Sequence, residues 1–136
     1  MKVYNLEKIT FDWVKYKDFS KIDFACKYSR RCHMNADFMD RLQSLRTLYG
    51  KPMVITSGFR DPSHPAEVGK AKPGPHTTGR ACDIAVGGAD ALLLIQLALE
   101  KGFTGIGVQQ KGVLRFLHLD DLPAETDRPR PFLWSY

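Results

Sequence analysis

The chain reads as a single α+β domain, a small antiparallel sheet with flanking helices. Three observations predict it. At 136 residues it is long enough to bury a core and too short for two domains. One clear helical period precedes a series of short β-branched runs, and turn signals join those runs as hairpins without a βαβ alternation.

Taken in order, residues 1–33 are polar and irregular, with aromatic stretches at Phe11-Asp12-Trp13-Val14 and 19–24, and read as an arm packed on the domain that spans 1–136. From Asn35, a capping residue, Phe38, Leu42, Leu45 and Leu48 recur at helical spacing until Gly50 and Pro52 end the pattern. Met53-Val54-Ile55-Thr56 is a short strand that feeds a loop, residues 58–75, whose four prolines and three glycines make it too long for a mere connector. Residues 80–86 read as a strand, 90–101 as a buried helix closed by Gly102, and 104–108 as a strand. Residues 114–119 form its hairpin partner across a turn near Gln110-Lys111-Gly112, and 132–136 an edge strand.

Composition narrows the function. The apolar run 89–99 is broken by Asp90 and Gln96 and is too short to span a bilayer, and Met1-Lys2-Val3-Tyr4-Asn5 has no apolar signal core. The expectation is a monomer made in the cytoplasm without a signal peptide. Three cysteines do not make a complete disulfide framework. Cys26, Cys32 and His33 supply soft ligands in eight residues, a candidate second metal site set against plain free thiols; Cys82 is expected in the core. The net charge of +5 favours polyanions, but the basic residues are scattered and no nucleic-acid-binding signature is present. A weak attraction to an anionic cell wall is the milder reading.

The chemistry lies in two segments. Pro75-His76-Thr77-Thr78-Gly79-Arg80-Ala81-Cys82-Asp83-Ile84 and Phe116-Leu117-His118-Leu119-Asp120 offer two histidines and an aspartate. Such an N/O set without thiolate suits Zn2+, and three protein ligands leave a fourth position open, as in hydrolytic sites. Strand alternation puts Asp83 beside His76, and His118 with Asp120 on one face while Leu117 and Leu119 enter the core. Taken alone, these residues also fit a loop histidine, a hydrogen-bonded carboxylate and a core histidine.

Four motifs in order, Ser57-Gly58-Phe59-Arg60, His76-x-x-Gly79-Arg80-Ala81-x-Asp83-Ile84, Gly105-Ile106-Gly107 and Phe116-Leu117-His118-Leu119-Asp120, resemble those of the zinc D-alanyl-D-alanine peptidases. That family includes bacterial carboxypeptidases, phage endolysins and the hedgehog signalling domain, and the resemblance runs from about Phe38 to Tyr136. It implies a hedgehog/DD-peptidase-like fold, zinc on His76, Asp83 and His118, and hydrolysis of amide bonds in peptidoglycan stem or cross-link peptides by a phage or prophage protein. Arg60 matches the arginine at the substrate end of the cleft, there to grip a carboxylate or an oxyanion; a surface salt bridge with Asp61 is the plain alternative. Ser57 and His64 are placed at the substrate cleft with it.

Many relatives carry an acid three positions before the last ligand histidine, where this chain has Arg115, which cannot take a proton. Asp120 is therefore the expected general base, with an orienting role as its alternative and Asp121 as the fallback. The departure at Arg115 also leaves a second reading, a non-catalytic zinc-containing virion or binding protein of the same fold.

Overall fold

A computed structural model describes residues 11–136; the N-terminal pentapeptide discussed above lies outside them. Among the described residues, four α-helices, α1 (Lys21–Phe24), α2 (Ala36–Tyr49), α3 (Pro65–Val68) and α4 (Gly88–Glu100), accompany five strands, β1 (Val54–Ser57), β2 (Ala81–Ala85), β3 (Gly105–Gln109), β4 (Phe116–Asp120) and β5 (Phe132–Ser135). The strands form one sheet in the order β1-β2-β4-β3-β5. The result is the expected small α+β domain with a mostly antiparallel sheet.

Two features of the topology differ from the sequence reading. β4 pairs antiparallel with both β2 and β3, so β2 and β3 run parallel to each other with α4 as their crossover and β4 inserted between them. This is a split βαβ unit. The inserted strand hides the alternation, because the hairpin β3–β4 is the only local signal. β5 joins the edge beside β3 in the parallel sense, a pairing between distant segments that no turn signal announces.

The helices form for identifiable reasons. Asn35 accepts a hydrogen bond from the Phe38 N–H at the start of α2, and Gly50, at φ 71°, accommodates the left-handed turn at its end. Phe38, Met39, Leu42 and Leu45 are buried on its inner face. α4 buries only Ala91, Leu94 and Ala98 fully, while Leu92 and Leu99 face solvent, so it is an amphipathic cover and not the buried helix expected. α3 interrupts the proline-rich loop because Pro65 fits the first helical turn and His64 caps it, its Nδ1 accepting from the Ala66 N–H.

One sheet face carries Cys82, Ile84, Ile106, Leu117 and Leu119 into a core shared with α2 and α4. Tyr16, Phe24 and Cys26 from the N-terminal arm join that same core. The opposite face carries the polar residues. There Ser57, Asp83, His118, Gly107 and Trp134 align as one row across the five strands, and Ala81, Asp120, Gly105 and Phe132 as the next.

Candidate metal centre

His76 lies in the 3-10 turn Pro75–Thr78, which ends at Gly79 in the left-handed conformation, φ 75°. A Cβ at Gly79 would stand 2.1 Å from the His33 carbonyl oxygen, so both the turn and the close approach of the arm require glycine. Gly58 and Arg60 hold the turn from the other side. The His76 Nδ1–H donates to the Gly58 carbonyl at 2.8 Å, and the Arg60 N–H donates to the His76 carbonyl at 3.1 Å. Gly58 in turn has no room for a side chain, since a Cβ would meet the Phe24 Cα at 2.6 Å. The motif Ser57-Gly58-Phe59-Arg60 is thus a backbone cradle for His76, braced on the arm.

His118 is oriented by its strand. Asp83 and His118 are direct cross-strand partners, and the His118 Nε2–H donates to Asp120 Oδ2 at 2.7 Å. With Nδ1 of His76 and Nε2 of His118 committed as donors, the remaining lone pairs are His76 Nε2 and His118 Nδ1. They face each other at 3.3 Å and stand 3.3 and 3.2 Å from Asp83 Oδ1.

Three electron-rich atoms this close suit a shared positive charge, a proton or a metal ion, among them. A tetrahedral zinc with bonds of roughly 2.0–2.1 Å has ligand edges of roughly 3.3–3.4 Å, close to the separations found here. Among the described residues these three form the one group of histidine, cysteine and carboxylate side chains with metal-binding spacing. The donor set fits zinc.

The electrostatics point the same way. Burial pushes the Asp83 carboxyl up, but the His118 and His76 imidazoles outweigh it and hold it well below the usual carboxylate range. Burial likewise opposes charge on His118, yet Asp120 and Asp83 raise its proton affinity. Burial also works against Asp120, which His118 and Arg130 nevertheless hold down at about 2. Arg130 balances Asp120, which leaves the Asp83 carboxylate facing the two imidazole nitrogens as a partner for positive charge.

The other expected site residues are distributed differently. Asp120 does not face the open cleft: it is 0 % exposed, one oxygen meets His118, and Arg130 grips both, Nε to Oδ1 at 2.9 Å and Nη2 to Oδ2 at 2.8 Å. Its oxygens meet His118 through Nε2, the ring nitrogen opposite the one that faces Asp83 and His76. Asp121, the fallback, is engaged by Arg80, which takes both its oxygens at 2.9 Å, and Arg41 approaches at 3.3 Å. Arg115 stacks its guanidinium over Gly87, outside the cleft lining.

The cleft itself measures about 650 Å³, with His76, Asp83 and His118 in its lining. Arg60 lines it, paired not with Asp61 but with the buried Glu67 at 3.0 Å. Its carboxylates are Glu67, Asp83 and Asp127, and its aromatic side is Phe116, Phe132, Trp134 and Tyr136. Ser57 and His64 are not in it. They line a smaller neighbouring hollow of about 230 Å³ that shares Arg60. Cys26 is buried in a tight turn, its N–H donating to the Arg31 carbonyl at 2.7 Å; Cys26, Cys32 and Cys82 are free thiols, and the described residues show no metal grouping of Cys26, Cys32 and His33.

Sequence reasoning missed Arg130 and Trp134. The signal that pointed toward them was the pair of glycines in β3. A Cβ at Gly105 would stand 2.3 Å from Asp120 Oδ1, and one at Gly107 would stand 2.7 Å from Trp134 Nε1. These glycines leave space for the carboxylate and the indole that surround His118.

The family model described as Peptidase M15 matches residues 14–120, well over half of the chain. No curated protein matches it. No helix among the described residues is long and apolar enough to cross a membrane.

Proposed function

The chain belongs to the M15 peptidases, and on that premise we propose that it is a zinc-dependent peptidase hydrolysing amide bonds in peptidoglycan stem or cross-link peptides. The observation that carries the proposal is the trio of donor atoms at 3.2–3.3 Å, each histidine locked by a hydrogen bond on its other nitrogen. His76 Nε2, Asp83 Oδ1 and His118 Nδ1 would hold the metal. Bound there, zinc supplies Lewis acidity to the scissile carbonyl and makes water a competent nucleophile near neutral pH.

The protein groups supply position and charge. Arg60 gives one N–H to Glu67, and its other donors remain for a substrate carboxylate at the cleft wall. Asp120 keeps His118 in the tautomer that turns Nδ1 toward the cleft. The aromatic side gives an extended peptide an apolar surface that also limits water near the reacting bond. The resemblance to endolysins extends the reading to a phage or prophage lysis or virion role, with the net charge of +5 favouring approach to an anionic wall.

A non-catalytic zinc-containing virion or binding protein is the second reading. Arg115 in place of the usual acid, and Asp120 turned away from the cleft, are the observations that favour it. Incubating purified sacculi with zinc-loaded and chelator-stripped protein, then identifying released fragments by mass spectrometry, separates the two. Zinc-dependent release of stem-peptide fragments supports the peptidase, and loss of a terminal residue versus scission within cross-links distinguishes carboxypeptidase from endopeptidase. Stoichiometric zinc with no release under any condition would sink the enzymatic reading.

A further inference from the structure

We infer that Arg130 is a positioning residue of the metal centre, fixing the His118 imidazole through two neighbours at once. Arg130 lies beyond residue 120, where the family match ends, in a segment whose sequence shows only a proline-flanked basic residue. The inference rests on the zinc reading above.

The geometry is specific. The Arg130 side chain is 5 % exposed despite its charge. Its Nε and Nη2 grip the two oxygens of Asp120 at 2.9 and 2.8 Å, while Nη1 donates to the Pro129 carbonyl at 2.8 Å. The guanidinium carbon also lies 5.2 Å from the centre of the Trp134 ring, and that ring lies 4.9 Å from His118. Asp120 therefore holds the edge of the imidazole and Trp134 packs against the ring at a tilt of 53°, with Arg130 touching both.

Without Arg130 the carboxylate would keep the imidazole and one long hydrogen bond from the Leu122 N–H to Oδ1 at 3.3 Å, a looser hold that lets it rotate about its own bond and carry the ring with it. A two-point grip sets the carboxylate plane, and hence the direction of the Nε2–H···O bond and of the Nδ1 lone pair. Lysine, a point charge, supplies neutralisation without that planar fork. Removing the guanidinium also leaves a buried carboxylate with part of its bonding lost, so the ring and its partner both gain freedom.

The test uses the full chain, stripped of metal and titrated with zinc against a chromophoric chelator, with no substrate present. Cobalt(II) spectra report ligand geometry, and circular dichroism with melting of the metal-free protein reports folding. The wild type is expected to bind one zinc tightly. Arg130→Gln should fold yet bind zinc roughly 10–100-fold more weakly, the usual cost of losing such an outer partner, with altered cobalt bands. Arg130→Lys should fall between the two.

A folded Arg130→Gln with wild-type zinc affinity and cobalt spectrum overturns the proposal, even if its KM rises, since Arg130 then acts on substrate alone. Should Arg130→Gln fail to fold, Arg130→Lys decides: wild-type affinity and spectrum in that variant overturn the two-point grip. A wild type that binds no zinc sinks the metal reading itself, a result separate from unaffected variants beside a zinc-binding wild type.

Discussion

The two histidines of the cluster are supported by different chemistry. His76 sits at the end of a loop and donates to a backbone carbonyl, that of Gly58, whereas His118 sits mid-sheet and donates to a buried carboxylate backed by an arginine. A carbonyl is a neutral partner that no single side-chain replacement removes. Asp120 is a full charge that one replacement abolishes. His118 thus offers the more electron-rich nitrogen of the proposed pair and the one whose support can be dismantled from outside the cleft.

The comparison breaks most visibly if the ligands themselves are removed. His76→Ala, Asp83→Ala and His118→Ala should each lose most bound zinc from about one per chain, measured by elemental analysis after gel filtration. Full occupancy in any of the three would show that the trio does not act as one centre. Asp120→Ala should leave zinc bound roughly 10–100-fold more weakly, with no equivalent side-chain change available on the His76 side.

The glycines sharpen the contrast. Gly105→Ala forces a methyl group within 2.3 Å of Asp120 Oδ1, and Gly58→Ala forces one within 2.6 Å of the Phe24 Cα. Each should cost about 1–3 kcal/mol in urea unfolding, the usual penalty for overpacking. Only Gly105→Ala should change the cobalt spectrum through His118. If Gly58→Ala changed it equally, the His76 cradle would be as tightly coupled to the metal as the Asp120 side.

A smaller effect belongs to Glu67, which fixes Arg60 and the loop before His76. Burial raises the Glu67 carboxyl, but the Gly74 N–H, Arg60 and Lys70 outweigh it and lower it below the ordinary glutamate value. A lowered folded pKa stabilises the protein above the unfolded value of about 4.3 and is lost as pH falls through and below it. Wild type should therefore exceed Glu67→Gln in urea midpoint at pH 6, with the gap closing toward pH 3. A gap that stays constant with pH would remove the charge from the account.

The smallest effect is expected where loop 69–74 meets the segment after β4. Lys72 pairs with Glu125 at 2.5 Å and with Asp127, all three side chains well exposed. Lys72→Ala should change stability by less than about 1 kcal/mol, as exposed ion pairs do. A larger loss in thermal unfolding would mean that this clasp, and not the Asp120 side alone, holds the cleft together.

Much of this was legible in the sequence wherever the signal was local. The alternation of Leu117, His118, Leu119 and Asp120 announced which side chains share a face, and Asn35 and Gly50 marked both ends of α2. What stayed hidden depended on distant segments meeting. Nothing in residues 121–136 says that Arg130 folds back onto Asp120, or that β5 runs parallel to β3. Alternation gives the face of a residue but not its neighbours on that face, so the Arg130 grip on Asp120 was not legible. The plain alternative for Arg60 was a salt bridge with its neighbour Asp61, while its partner Glu67 stands seven residues on, brought near by a helical turn that the prolines had masked.

The course of β5 has a practical side. Phe132, Trp134 and Tyr136 all line the cleft, so the last strand delivers the chain to its mouth. A polyhistidine purification tag joined after Tyr136 would bring a string of imidazoles beside the donor trio, where they would compete for zinc, inflate apparent stoichiometry and obstruct substrate. Metal titrations on such a fusion would report the tag as much as the protein, and cleavage of the tag belongs before any of the measurements above.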